Sequence, residues 1–451
     1  MVSRTTRPPN TRAGRKPAER ASAPRSRRAP SHPAARSGDR AYDVVLYGAT
    51  GFVGQQTVAY LARLSGEGLT GLKWALAGRN AVKLQEVKDR SGPGAQGADV
   101  IVADAADLPA LLRLAGQARV VLSTAGPFAL YGSELVAACV RQGTHYVDIT
   151  GETPWVHDMI VSHQEEAARS GARIIPFCGF DSVPSDLGAW LMTQGMQVQY
   201  GEACVSVKSA ISMRGGVNGG TLASGLNMLA SEAAKDFARP FLLNPAGQQP
   251  ADSRGHEDPQ GPRHDADFRA WLAPFIMGPI NTRVVRRSAA LFAARGDTPA
   301  YAAGFCYQEY LRYGKGPLAA AAAGGVTMGL GLGMAAIRFK PWRAMAQALM
   351  PAPGSGPTQA SMDAGSFRCE LVGTSVGGHV VRGRVAGRGD PGNRATTVFV
   401  CEAALALADE PAAALPGGAG AGGVLTPASG LGHVLARRLV AAGMTLEPLR
   451  A

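Results

Sequence analysis

The chain has 451 residues, 46% of them hydrophobic, enough for two or three domains with sizeable cores. Its formal net charge of +12 would suit nucleic acid, but the first forty residues hold eleven Lys and Arg against Glu19 and Asp39, leaving only +3 for the other 411. The basic character is thus a property of one end, and nucleic acid is not expected as a partner.

Residues 1–40 are rich in Arg, Pro, Ala and Ser and contain no aromatic residue. Such a segment cannot bury enough apolar surface to fold and reads as a disordered basic tail. It has no apolar run of the secretory kind, and its prolines oppose the amphipathic helix of an organellar transit peptide.

From Asp43 to Leu64 (DVVLYGATGFVGQQTVAYLARL) a short apolar run breaks into a glycine turn and then into a helical pattern. Val44, Val45, Leu46 and Tyr47 read as a strand covered on both faces. Val53, Val58, Leu61 and Leu64 fall on one helical face. Between them Gly48, Gly51 and Gly54 recur every third residue. The first permits the turn, the second lets backbone approach a pyrophosphate, and the third lets the helix sit close to the sheet. A helix start facing phosphates completes a dinucleotide site, with Gly48, Thr50, Gly51, Phe52, Val53 and Gly54 as its candidate contacts. The spacing is GxxGxxG rather than the usual GxGxxG, so strand-turn-helix context carries the assignment.

A second strand, Leu72–Ala77, ends in Gly78, Arg79 and Asn80. The position after this strand reads the adenosine ribose, where an acidic side chain takes the hydroxyl of NAD and an arginine suits the 2′-phosphate of NADP. Arg79 and Asn80 therefore favour NADP(H), because guanidinium matches phosphate geometry. A third strand, Val100–Asp104, brings Asp104 either to the adenine edge or to the cap of the next helix. A fourth, Val120–Leu122, leads into Ser123, Thr124, Ala125, Gly126 and Pro127, a small-residue turn where a nicotinamide ribose can approach backbone. Strands at His145–Ile149 and Arg173–Phe177 bring Asp148, Gly151, Glu152, Cys178, Asp181 and Ser182 to the same edge. Helical stretches at Gly132–Arg141 and Pro154–Ser170 alternate with these strands and imply a parallel sheet.

Beyond this point strands and helices no longer alternate. Gly201–Met213 reads as a strand leading through glycines to a helix from Thr221, and residues 239–266 as a long exposed loop. Phe367–Gly373 and His379–Ala386 read as antiparallel strands. Thr426 as N-cap, Pro427 in the first turn and Gly443 after the last predict a terminal helix. The expected architecture is α/β. A disordered tail (1–40) precedes a Rossmann-type parallel-sheet domain (41–185). A second, α+β substrate or oligomerisation domain (186–425) and a C-terminal helix (426–451) follow.

Pro317–Ile337 (PLAAAAAGGVTMGLGLGMAAI) has twenty-one residues and no charge, with Lys315 before it and Arg338, Lys340 and Arg343 after it. Its length suits a bilayer span, whereas its Ala and Gly content suits a buried or homodimer-interface helix or one lying on lipid.

For catalysis, hydride transfer requires a group to supply or take a proton. Tyr131, just after the nicotinamide turn, and Asp181, at a strand end, are the candidates. Cys178 is a candidate nucleophile or a buried core thiol, and Arg283, Arg286 and Arg287 are candidates for gripping an anionic substrate group or for a solvated face. His145 and His157 have no spaced partner, and no metal site is expected. The six cysteines show neither zinc nor disulfide spacing, which suits a reducing, cytoplasmic location.

The motifs GATGFVG, AGRN, STAGPFALYG, YVDITGE and IIPFCGFDSVPSDLG occur in that order, followed by NTRVVRRSAAL, FCYQEY, GDPGNRATTVFVCEAALALA and GGVLTPASGLGHVLARRL. Together they resemble the saccharopine dehydrogenase-like oxidoreductases, in the branch with the mycobacterial trans-acting enoyl reductases, over residues 41 to 446. The resemblance implies a C-terminal segment that returns to the first domain. It also implies an NADP-dependent reductase acting on the C=C or C=O of an acyl, lipid-linked substrate, with peripheral membrane contact. A saccharopine-type amino-acid dehydrogenase and a non-catalytic lipid-associated NADP-binding module are the alternatives.

Overall fold

The computed structural model describes residues 40–449 apart from 69–70, 217, 220–223, 226–234, 237–238, 251–252, 298–300, 337–338, 340, 343–344 and 346–353. The expected tail before residue 40 and the helix expected from Thr221 onward lie largely outside the described residues. Arg40 itself does not belong to a loose tail: its guanidinium donates to the carbonyls of Ala115, Gly116 and Gln142.

Seven parallel strands form the first sheet, in the order β13-β6-β5-β4-β1-β2-β3. They are β1 (Tyr42–Tyr47), β2 (Trp74–Gly78), β3 (Asp99–Val102), β4 (Ala118–Ser123), β5 (His145–Asp148), β6 (Arg173–Ile175) and β13 (Gly423–Val424). Val44, Val45 and Leu46 are fully buried, as their unbroken apolar run requires for a strand covered on both faces. The order reverses direction between β1 and β4, and that switch point is where open parallel sheets bind ligands.

The second sheet is mixed, in the order β14-β12-β11-β7-β10-β9-β8. Its strands are β7 (Cys204–Arg214), β8 (Arg263–Asp265), β9 (Ala270–Pro274), β10 (Tyr301–Gly314), β11 (Ser366–Ser375), β12 (Val380–Arg388) and β14 (Thr445–Leu449). Two helices lock the sheets together. The Val183–Tyr200 helix leaves β6 and packs on β7, β11 and β12, while the Thr396–Asp409 helix packs under β1, β4 and β5. The latter is buried on almost every face, which its short Ala, Val and Leu side chains permit. One continuous apolar core therefore runs from Val44 and Leu122 to Leu371 and Val385.

Three expectations require correction. Residues 239–266 are largely exposed but not a free loop, because Phe241, Leu242, Leu243 and His256 are buried and Arg263–Asp265 forms β8. The cause lies in Arg283, Arg286 and Arg287 on the Gly278–Arg295 helix, all fully buried rather than solvated or turned to a substrate. Arg283 pairs with Asp258 and donates to the Arg239 carbonyl. Arg286 donates to the carbonyls of Pro240 and His256, and Arg287 to those of Leu243 and Val424. The segment hangs on these three side chains.

The terminal helix is also interrupted. The Thr426–Ser429 capping box starts a single turn, Pro427–Gly430, and Gly432, at φ +45°, restarts the chain as a second helix to Ala441. Gly443 then ends it, and the last residues form β14 against β12. Finally, the apolar stretch is a helix, Gly316–Ala336, but not a buried one. Only Ala319 and Ala323 are buried, on the face toward β9.

Candidate active site

The carboxyl ends of β1, β4, β5 and β6 meet along one edge of the first sheet. At β1 the chain turns at Gly48, whose φ of +89° only glycine adopts readily. A Cβ there would lie 2.8 Å from the Ala125 amide nitrogen, and one on Gly54 would lie 2.2 Å from the Gly48 carbonyl oxygen. Both glycines are thus fixed by the protein's own packing. Gly51 is different, since a Cβ there would meet the Gly48 carbonyl oxygen at an ordinary 3.4 Å. It stands at the N-cap of the Phe52–Gly66 helix, which has no side-chain cap. Its bare face leaves uncapped amides open to an anion. Val53 is buried, so only its backbone is offered, and the Phe52 ring lies against Gly356. Thr50 lies half-buried within the turn.

At β2, Arg79 is exposed, with no hydrogen bond or ion pair among the described residues. The Asn80 side chain is committed, accepting from the Lys83 amide at 3.0 Å to cap the next helix. Asp104 accepts from the Ala106 amide at 2.9 Å, whereas the helix after β3 is capped by Asp107. Tyr47 sits between these groups. Burial, aided by the Asp104 carboxylate and opposed by Arg79, pushes its hydroxyl up to about 12.

At β4, Ser123 is buried and accepts from the Ala125 amide, and Thr124 Oγ1 donates to the Gly48 carbonyl at 3.1 Å. The Gly126–Pro127 peptide is cis. The Phe128 and Ala129 amides donate to the Glu152 carboxylate at 2.8 and 2.9 Å, which ties the β4 and β5 turns together. Tyr131 ends the one-turn helix Phe128–Tyr131 with 42% of its surface exposed.

Asp148, fully buried, accepts from the Tyr146 hydroxyl, the Thr150 amide and the Phe177 amide at 2.9, 3.0 and 3.1 Å. Burial still pushes its carboxyl up to about 7. Its grip holds Phe177 in the left-handed region, at φ +66°, a strained conformation for a bulky side chain. Cys178 is fully buried and its thiol is pushed far up by desolvation, so the core reading holds over the nucleophile.

Asp181 follows. Half-buried at the base of the β6 turn, it makes no hydrogen bond or ion pair among the described residues. A Cβ on Gly151 would come within 3.2 Å of Ile280 Cδ1, 3.6 Å of Asp181 Oδ2 and 3.8 Å of Met277 Cε. The carboxyl thus stands over bare backbone, with two apolar side chains beside it. Desolvation pushes it up to about 7. Gly151 was placed on this edge from sequence, whereas Met277 and Ile280 did not emerge from it. The latter two lie about a hundred residues beyond Asp181, and only the packing of the Gly278–Arg295 helix on the β5 turn joins them.

Residues 44–175 match the saccharopine dehydrogenase NADP-binding domain family. Over 92% of its length the chain is 36% identical to 99% of a trans-acting enoyl reductase of Mycobacterium ulcerans (strain Agy99). It is 35% identical, over 91% of its length, to 99% of a trans-acting enoyl reductase of Mycobacterium tuberculosis (strain H37Rv). The chain belongs to the trans-acting enoyl reductase family, among the saccharopine dehydrogenase-like oxidoreductases. Among solved structures, apo saccharopine dehydrogenase from Saccharomyces cerevisiae aligns with a TM-score of 0.47 and 15% identity over 90% of this chain and 99% of that one.

As a member of that family the chain is an NADP-dependent oxidoreductase with NADP(H) as its cofactor. The local structure fits the group: a helix start with no side-chain cap and the bare Gly51, and an exposed guanidinium at the end of β2 that has no partner among the described residues. Arg79→Asp is expected to weaken NADPH binding by about tenfold or more, the scale of one charge-assisted hydrogen bond, and to leave NADH within about twofold. Titration of both nucleotides by quenching of protein fluorescence checks it, and equal losses would contradict the phosphate role.

Proposed function

We propose that the chain is an NADPH-dependent enoyl reductase of lipid-linked acyl substrates, with Asp181 as its proton donor. The carrying observation is the unpartnered Asp181 carboxyl over Gly151 at the edge where the cofactor turn ends. The turn from Gly48 to Gly54 would hold the pyrophosphate and Arg79 the 2′-phosphate, with Asn80 and Asp104 beside the adenosine. The Ser123, Ala125, Gly126 and Pro127 turn would border the nicotinamide ribose. When bound, NADPH supplies a hydride to the β-carbon of the enoyl group. Asp181 then delivers a proton to the α-carbon and is reprotonated from solvent.

The pKa supports this role. A carboxyl at its ordinary value would be ionised at neutral pH and unable to donate, whereas a group near 7 is protonated in useful amount. Tyr131, the other candidate, stands exposed on its short helix and is the weaker choice. An amino-acid substrate with several carboxylates is disfavoured because Arg283, Arg286 and Arg287 are consumed in holding the 239–258 segment.

The Gly316–Ala336 helix supports peripheral contact with a membrane at its cytoplasmic face. It is long and apolar enough to cross a bilayer, with mean hydropathy 1.5 and 11% of its apolar window buried. Leu318, Met328 and Leu332 are 86%, 65% and 64% exposed. Phe339 and Trp342 stand exposed just beyond it, and Lys315, Arg338, Lys340 and Arg343 flank it. Apolar side chains with aromatic and basic residues at the ends suit an anionic lipid surface.

Asp181→Asn is expected to lower kcat by 10²-fold or more, the usual worth of a positioned acid, with NADPH affinity within about twofold. In the unsubstituted protein kcat should fall with rising pH above about 7, because only the protonated carboxyl donates. A flat profile from pH 6 to 9 would remove Asp181 from the role. For the membrane reading, Met328→Glu with Leu332→Glu should abolish flotation with phosphatidylglycerol vesicles while leaving thermal stability unchanged, since both side chains are exposed. Retained flotation would contradict it, and conversion of a dimer to a monomer would assign the helix to self-association instead.

A further inference from the structure

Asp181 has no hydrogen bond among the described residues, so its aim depends on what holds the chain on either side. Upstream, Asp148 fixes the Phe177 amide. Downstream, a buried polar chain begins at the next residue. Ser182 Oγ donates to Asn281 Oδ1 at 3.0 Å, across 99 residues of sequence. Asn281 Nδ2 donates to Glu309 Oε1 at 2.7 Å. Glu309 Oε2 accepts from Ser185 Oγ at 2.7 Å and from the Tyr307 hydroxyl at 2.8 Å. Ser182, Ser185, Asn281, Tyr307 and Glu309 are all fully buried.

The polarity of this chain runs one way. Glu309 accepts from Asn281 Nδ2, which sets which end of the Asn281 amide faces it. The Asn281 oxygen then faces Ser182, whose hydroxyl must donate. No Lys or Arg pairs with Glu309 among the described residues, and burial pushes its carboxyl up to about 7. An apolar side chain of similar size would fill that space at lower cost. Asn281 also shares the first turn of its helix with Ile280, next to Met277, the two side chains beside the Asp181 carboxyl. The same hydrogen bonds thus fix the β6 turn and the wall it faces, and anchor both to β10 of the second sheet.

We propose that Glu309 is a positioning residue for the reduction: acting through Asn281 and Ser182, it holds the Phe180–Ser182 segment so that the Asp181 carboxyl stays over Gly151. This rests on Asp181 being the proton donor.

The test compares Ser182→Ala and Glu309→Gln in the otherwise unchanged protein and in an Asp181→Asn background. Ser182→Ala removes one hydroxyl and guards against a Glu309→Gln protein that does not fold. Hydrogen–deuterium exchange of residues 177–186 is measured without cofactor. NADPH affinity and turnover of a trans-2-enoyl N-acetylcysteamine thioester are measured alongside. Each substitution is expected to speed exchange in 179–183 by about tenfold and lower kcat by about tenfold, with exchange at 48–54 unchanged. NADPH affinity should stay within about twofold, and the double variant should lose little more than the worse single one, as for residues acting through one another. In the Asp181→Asn background neither change should lower the residual rate further. Unchanged exchange in both variants overturns the proposal by itself, and so does an equal loss of rate in the Asp181→Asn background. A fully active Asp181→Asn protein would instead overturn the proton-donor reading, and the positioning role with it.

Discussion

Carboxyl groups buried without a cation hold this structure together where its two sheets meet. Asp148, Asp186 and Glu309 are fully buried, and desolvation pushes each up to about 7. Each is stabilised by neutral donors: Tyr146 and two amides at Asp148, Ser288 and the Ala428 amide at Asp186, and Ser185, Tyr307 and Asn281 at Glu309. Unpaired burial of this kind is tolerable because near-neutral carboxyls need hydrogen bonds rather than counter-charges. Asp148 ties β5 to the β6 turn, Asp186 ties three helices, and Glu309 ties the β6 turn to the second sheet. Asp181, half-buried, is also pushed up by desolvation but accepts no hydrogen bond among the described residues. The arrangement that stiffens the edge leaves one carboxyl with capacity to act.

The exchange of helices between the two halves gives that edge its place between the two sheets. The helix leaving β6 packs on the second sheet, and the Thr396–Asp409 helix, which follows β12, packs under the first. The β6 turn therefore sits at the seam, with the Phe180 amide donating to Thr396 Oγ1 at 3.0 Å. The strand on which the exposed apolar helix lies, β9, runs directly into Phe275, Ile276 and Met277 and so to the wall beside Asp181. An apolar surface and the reacting edge are thus joined by one short stretch of chain.

How much of this was legible in the sequence follows from the range of the forces involved. The glycine turn was readable because its causes are local, although only Gly48 and Gly54 are fixed by contact with the protein. Six of the seven strands of the first sheet were readable from apolar runs, within about two residues at each end, whereas the two-residue β13 was not. The Asp181 turn was placed on the correct edge, but its lack of partners depends on Met277 and Ile280, which no local pattern connects to it. Arg283, Arg286 and Arg287 were misjudged because basic residues at helical spacing look alike whether they meet water or buried carbonyls. The anchoring of the 239–266 segment was missed with them, since its polar composition hides what suspends it. The break at Gly432 and the final strand depend on a left-handed residue and a distant partner, β12, that propensity alone does not reveal.

In the proposed function the cofactor turn and the Asp181 carboxyl serve one reaction centre. A crystal structure of the chain with NADP+ bound tests this most directly. The expected result is the 2′-phosphate against Arg79 and the nicotinamide beyond the Ser123–Pro127 turn, with the Asp181 carboxyl as the ionisable group facing it. A nicotinamide turned toward Tyr131, or one whose nearest side chains hold no proton to give, would contradict it.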